Sequence, residues 1–198
     1  RINSIVLKYK PEDCKYIKTL KYSDEVEWIV TNPRRAAFIK DLTLTLKGNT
    51  LVLYNFVEKH GIPMHKMIEE SAEEGRKVFF VSGNVKADVR EEIRHTTEQE
   101  SNAIIVASYG TFSTGINIRN LHNVVFTSPS KSRIRNLQSI GRGLRKGNGK
   151  TSAVLYDIAD DLRYKTYMNF AIRHFYERIN IYNEEKFEFK INEVNLYD

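Results

Sequence analysis

The sequence predicts an α/β domain built on a parallel sheet of about five strands, with helices on both faces. Three observations point there. Short, uninterrupted apolar runs recur along the chain, amphipathic helical patterns separate them, and the runs are rich in β-branched and aromatic residues. Strands buried on both faces read as continuous apolar stretches, and a parallel sheet needs helical crossovers to cover those faces.

The runs are Leu51–Tyr54, Val78–Val81, Ala103–Val106, Val124–Phe126 and Ala153–Tyr156, with helical patterns at about 55–74, 86–100 and 132–146. Upstream, Ile2 to Tyr9 alternates as a strand does, and Pro11–Leu20, Ser23–Val30 and Pro33–Lys47 read as helices. Ser23 and Asn32 suit N-caps, and Pro33 suits a first helical position. A last helix is expected at about 162–180, with an aromatic stripe of packing residues, and a short strand at 186–191. The expected division is a lead-in at 1–48, the α/β domain at 49–160, and a C-terminal helix and strand at 161–198.

Composition is that of an ordinary globular chain, with 41% hydrophobic and 28% charged residues among 198. No apolar run approaches the roughly 20 residues of a membrane-spanning helix, so no membrane partner is expected. The chain opens on Arg1, so a piece of a longer polypeptide is expected. Cys14 is the single cysteine, which excludes an internal disulfide or a cysteine-rich zinc site and favours a reducing compartment. The five histidines show no metal spacing; His60 and His65 are expected on the surface or in packing.

The net charge of +6 favours anionic partners. The excess is concentrated: Lys131, Arg133, Arg135, Arg142, Arg145, Lys146 and Lys150 fall in a stretch without an acid. Placed on a helix, Arg135, Gln138, Arg142 and Arg145 share one stripe, while Leu137, Ile140 and Leu144 share another. Like charges stacked on one helix face repel. An absent polyanion explains the stripe better than a solvated face does. Gly141 and Gly143 each cost such a helix about 1 kcal/mol, which suits close approach by a ligand or another backbone. Planar guanidiniums suit bidentate grips on phosphate.

Open parallel sheets bind ligands beyond the carboxyl ends of their strands. The segments expected there are 55–56, 82–84, 108–117 and 127–133, three of them rich in Ser, Thr, Asn or Gly. Turn residues alone would give the same composition.

At this point the residues resemble a known family. QSIGRGLR at 138–145 resembles motif VI of the superfamily-two helicases, STGINI at 113–118 resembles motif V, LVLYNF at 51–56 resembles motif IV, and VSGNV at 81–85 resembles the next strand-end loop. All four occur in family order over about residues 50–158. The resemblance implies a RecA-like fold and the second of two motor domains that clamp ATP between them. Arg145 would then be the arginine finger on the γ-phosphate, with Arg142 assisting and Gln138 ordering the site. Gly115, Asn117 and Gly141 would lie at the nucleotide; many relatives carry Asp where Asn117 stands. Ser82, Gly83, Asn84 and Thr111, with Asn55, Lys131 and Arg133, would touch the nucleic-acid backbone. Implied cofactors are ATP and Mg2+, the metal ligands and phosphate loop being on an N-terminal RecA-like domain outside this chain. Implied substrates are single-stranded and branched DNA, R-loops and other RNA–DNA hybrids, and recombination intermediates. The alternative is a non-catalytic nucleic-acid-binding module of the same fold.

Two stretches imitate missing machinery. Gly149-Lys150-Thr151 resembles the end of a phosphate loop, which would make the chain a free-standing NTPase, but Leu144 stands where that loop needs glycine. Asp24-Glu25-Val26-Glu27 resembles a magnesium carboxylate box but follows no buried strand. Asp157, after an apolar run, is expected to cap or pack.

Overall fold

The computed structural model describes residues 1–81, 91, 94–95, 98–109, 120–127 and 153–198. The elements, in order, are β1 (Ile2–Lys8), α1 (Pro11–Ile17), α2 (Tyr22–Thr31), α3 (Pro33–Thr45), β2 (Thr50–Tyr54), a π-helical turn (Val57–Gly61), α4 (Ile62–Ser71), β3 (Val78–Val81), β4 (Ile104–Ser108), β5 (Asn123–Phe126), β6 (Val154–Asp161), α5 (Phe170–Glu184) and β7 (Phe189–Asn195). The strands form one sheet in the order β3-β4-β2-β5-β6-β1-β7, and every described pairing is parallel.

The sheet therefore has seven strands where about five were expected. β1 and β7 account for the difference: β1 is an interior strand, inserted between β6 and β7. Strand period explains how one sheet feeds two cores. Val52, Tyr54, Ile104, Val106, Val125 and Ile158 face α1 to α4, where they meet Ile17, Ile29, Ile39, Met64 and Ile68. Their alternating neighbours Leu51, Leu53, Ile105, Val124, Phe126 and Leu155 face the other way and meet Tyr182 of α5. Val6 and Ala159 extend that second face under Ile172 and Phe175.

Several boundaries moved, each for a local reason. Asn32 is the N-cap of α3, its side chain accepting from the Arg35 N–H at 3.0 Å, with Pro33 at the first position. Ser23 is not a cap; α2 begins at Tyr22 after Lys21. The pattern at 55–74 divides into the π-helical turn and α4. The final helix begins at Phe170 rather than near 162, because residues 162–169 form a tight turn. There Tyr164 and Tyr167 exchange N–H···O bonds of 3.0 and 2.9 Å, and the Asn169 side chain accepts from Leu162 N–H at 3.0 Å. The start of α5 is capped from another helix: Glu25 of α2 accepts from the N–H groups of Phe170 (3.0 Å) and Ala171 (2.8 Å). The apparent magnesium box is thus a helical segment, and its buried carboxylate stabilises a helix N-terminus. Burial pushes the Glu25 carboxyl up, and these N–H donors oppose that push. The last strand lies at 189–195 rather than 186–191. The expected helix at 132–146 and much of that at 86–100 lie outside the described residues.

β6 continues to Asp161 and does not end near Asp157. Asp157 lies mid-strand, fully buried, taking Arg178 of α5 at 2.9 Å and the Tyr182 hydroxyl at 2.5 Å. Its packing role is the expected one. Asp160, on the opposite face, takes the Arg35 guanidinium at 2.8 and 3.1 Å and the Tyr9 hydroxyl at 2.6 Å. Each face of the sheet thus holds one buried arginine–aspartate pair, fastening α3 to one side and α5 to the other.

Candidate nucleotide and nucleic-acid interface

The sheet order β3-β4-β2-β5 decides the layout of the candidate site. Registers Val81↔Ala107, Tyr54↔Ser108 and Leu53↔Phe126 bring the carboxyl ends of these four strands level. The described residues from which the four nominated segments continue therefore lie side by side at one edge. At about 4.8 Å per strand, their exits span roughly 15 Å, the scale of a nucleotide and a few phosphates.

Each exit is held by buried side chains. The Tyr54 hydroxyl donates to the Val81 carbonyl at 3.0 Å, pinning the last residue before 82–84, and the Tyr54 ring stacks on Phe80 with centroids 5.7 Å apart. Burial pushes the Tyr54 phenol up to about 12, so it stays a donor at any working pH. Tyr109, which opens the 110–117 stretch, packs edge-on against Phe126 at 4.8 Å. Thr127, the root of the segment from 128 onward, is held from two sides. Its N–H donates to the Leu53 carbonyl at 3.3 Å and its hydroxyl to the same oxygen, while its own carbonyl accepts from Arg35. Arg35 is only 1% exposed, so its chelation of Asp160 and its grip on the Thr127 carbonyl take place in a dry interior, where such bonds are strong.

The π-helical turn after β2 completes this edge. The Phe56 carbonyl accepts from both His60 N–H (3.1 Å) and Gly61 N–H (2.8 Å). Gly61 lies so close to Tyr54 that a Cβ there would be 2.5 Å from its ring. His60 is buried behind the turn; burial and the neighbouring Arg35 charge hold its imidazole down at about 3. The packing role expected for His60 is thus the one it has. The turn leaves Phe56 39% exposed and Asn55 half-buried at the strand tip.

Of the nominated site residues, Asn55 is described, at the carboxyl end of β2 as the sheet topology predicts. Ser82, Gly83, Asn84, Thr111, Gly115, Asn117, Lys131, Arg133, Gln138, Gly141, Arg142 and Arg145 lie outside the described residues, as does Gly149-Lys150-Thr151. Sequence reasoning missed Arg35 and Asp160, and the bracing roles of Tyr54, Tyr109 and Thr127 within the nominated motif and segments. Arg35 follows Pro33-Arg34 in a first helical turn and reads as solvated. Its one signal is the acid pair Asp160-Asp161 at the end of β6, since a buried aspartate requires a partner. Among the described residues, no group of three or more His, Cys, Asp or Glu is placed to hold a metal, and no helix is long and apolar enough to cross a membrane.

A seven-stranded parallel sheet with loop exits aligned at one edge is the architecture of a RecA-like helicase motor domain. The helicase conserved C-terminal domain family matches residues 34–147, more than half of the chain, and the chain belongs to that family. It is similar to the ATP-dependent DNA helicase uvsW of Enterobacteria phage T4, at 35% identity over 209 residues, covering 99% of this chain and 41% of that protein. The crystal structure of T4 UvsW matches with a TM-score of 0.85, covering 99% of this chain and 42% of that one. The C-terminal domain of the DEAD-box protein Dbp5 shares the fold at 13% identity and a TM-score of 0.64, covering all of this chain and 92% of that one. The chain thus spans about two-fifths of the curated relative it matches.

Proposed function

We propose that this chain is the second motor domain of an ATP-dependent DNA helicase or translocase, with 49–160 as its motor core. The observation that carries the reading is the alignment of the four segment exits at one braced edge, in a chain 35% identical over nearly its whole length to a DNA helicase. On this reading Arg145 and Arg142 meet the γ-phosphate of ATP held by an N-terminal RecA-like domain, and Gln138 orders the site. Gly115, Asn117 and Gly141 line the nucleotide. Asn55, Ser82, Gly83, Asn84, Thr111, Lys131 and Arg133 hold the nucleic-acid backbone, giving affinity and register without reading sequence. Carboxylates of the other domain would hold Mg2+, which would supply neutralisation of phosphate charge there. Fixed guanidinium donors in a closed, dry cleft meet the charge on the transferring phosphoryl group.

ATP draws the two domains together through Arg142 and Arg145. Hydrolysis weakens that grip, and the strand contacts of the two domains then shift relative to one another. Branched DNA, R-loops and recombination intermediates are the substrates this reading assigns, in the cytoplasm of an infected bacterial host. The chain alone, without a phosphate loop, is inactive.

The test is ATP turnover by the full-length protein. Arg145→Ala lowers DNA-stimulated turnover by about 10³-fold or more while DNA binding persists. Turnover at the wild-type rate, with DNA binding lost, would instead identify a non-catalytic binding module.

A further inference from the structure

Two acid-free stretches remain outside the braced edge. Residues 15–22 carry Lys15, Lys18 and Lys21 with Tyr16 and Tyr22. Residues 163–176 carry Arg163, Lys165 and Arg173 with Tyr164, Tyr167, Phe170, Phe175 and Tyr176. The fold lays them side by side. Lys18 lies 5.8 Å and Lys165 5.3 Å from the Tyr164 ring centre. Beyond the tight turn, Arg173 lies over Tyr167 at 5.8 Å and Phe170 at 4.8 Å, and Phe170 meets Tyr22 edge-on at 5.4 Å. The result is one continuous strip running Lys18, Tyr164, Lys165, Tyr167, Arg173, Phe170, Tyr22.

Its electrostatics are one-sided. Among the described residues, Lys18, Lys165 and Arg173 take aromatic rings and, for Arg173, the Met168 carbonyl as partners rather than carboxylates. Asp13, Asp24, Asp161 and Glu177 flank the two stretches in sequence; Asp161 is taken by Arg163 and Lys8, and among the described residues none of the four acids pairs with Lys18, Lys165 or Arg173. Lys165 is moreover held at φ 53°, a left-handed conformation that lysine rarely adopts, at the tip of the turn closed by Tyr164 and Tyr167. Tyr22 is 38% exposed yet fixed edge-on by Phe170 and by His174 at 5.6 Å. A rigid exposed ring beside uncompensated cations is the arrangement on which single-stranded nucleic acid binds, the cations taking phosphates and the ring stacking a base.

Placement agrees. The tight turn follows the carboxyl end of β6, and α1 follows that of β1, the next strands along the same edge. β1 lies two strands, about 10 Å, to the side of β5, and β6 and β1 run four residues, about 13 Å, beyond the level of Phe126, so their ends rise past the β5 exit on the same side of the sheet.

We propose that this strip, with Lys18, Lys165 and Arg173 as phosphate contacts and Tyr22 as a stacking ring, is a second binding surface for single-stranded nucleic acid, adjoining the motor edge. It rests on the reading of nucleic acid as the ligand but not on the arginine-finger assignment.

The test measures oligo-dT binding by the full-length protein across a salt series, without nucleotide. The double variant Lys18→Ala/Lys165→Ala is expected to bind about tenfold more weakly at 0.1 M salt, with the log–log salt slope reduced by roughly 1.4, from about 0.7 per lost phosphate contact. Tyr22→Leu, which keeps apolar volume against Phe170, is expected to weaken binding about fivefold with the slope unchanged. ATP turnover at saturating DNA stays at the wild-type rate in both. Arg145→Ala, run in parallel, loses turnover and keeps oligo-dT affinity, so failure of either idea shows separately. Wild-type affinity and slope in the double variant overturns the proposal. So does wild-type affinity in Tyr22→Leu, which would leave a patch of plain charge with no claim on bases.

Discussion

Arg35→Ala is the most informative single perturbation of the fold. The guanidinium it removes is buried, chelates Asp160 at 2.8 and 3.1 Å, and donates to the Thr127 carbonyl. Asp160 is left fully buried, its carboxylate keeping the Tyr9 hydroxyl as its one hydrogen-bond donor among the described residues. Removing one partner of a buried ion pair costs about 3–5 kcal/mol, because the remaining charge is uncompensated. The orphaned Thr127 carbonyl adds about 1 kcal/mol or more, though the two losses share one side chain and do not simply add. A total of about 4–5 kcal/mol is a large part of the 5–15 kcal/mol typical of a domain. For a chain of this size it lowers Tm by on the order of 10–15 °C. Trp28, the sole tryptophan, lies 5.5 Å from Tyr9 and reports on this region by fluorescence during urea or thermal unfolding. The double replacement Arg35→Met/Asp160→Leu removes both charges and is expected to recover most of the loss. A single variant within about 1 kcal/mol of wild type, or a double variant worse than the single, would show that the buried pair does not fasten α3 to the sheet.

Two further predictions concern the same edge. His60 titrates at about 3 in the folded chain, against about 6.5 when free, so the unfolded chain binds a proton that the folded chain refuses between those values. Stability therefore falls as pH drops through that window, by about 1.4 kcal/mol per unit at most. At Asp161, burial pushes the carboxyl up, but hydrogen bonds from Arg163 and Lys8 outweigh it and hold it at about 2. Stability is lost there too as pH falls from about 4 to 2, while Glu25, shifted the other way, partly offsets the decline. Urea midpoints from pH 7 to 2 check this: His60→Gln should flatten the slope above about pH 3, and a flat wild-type profile contradicts it. Gly61→Ala places a methyl 2.5 Å from the Tyr54 ring. It should cost about 1–3 kcal/mol in the same unfolding assay, as overpacking does, and an unchanged midpoint would show that the turn yields.

Local chemistry wrote the strands plainly, and long-range pairing was harder to read. The runs at β2, β4 and β5 are buried along their whole length and read as continuous apolar stretches, as does β3, so their existence and order were legible. β6 looked shorter than it is because Asp157, Asp160 and Asp161 interrupt its apolar pattern, and their partners Arg178, Arg35 and Lys8 lie 21, 125 and 153 residues away. β1 was legible as a strand, but nothing local says that it enters between β6 and β7. The start of α5 was misread because its cap comes from Glu25, 145 residues upstream of Phe170. At the candidate edge, the glycine- and hydroxyl-rich exits could be nominated from composition and motif order. The residues that brace them are bulky or charged and resemble ordinary surface or core positions until the sheet brings them together.

On the proposed function, Arg145 meets a triphosphate bound by another domain. The most direct measurement is the affinity of the full-length protein for a non-hydrolysable ATP analogue relative to ADP, with and without Arg145→Ala. Arg145→Ala is expected to lose the preference for the γ-phosphate while ADP affinity is kept; an unchanged preference would rule out the arginine-finger role.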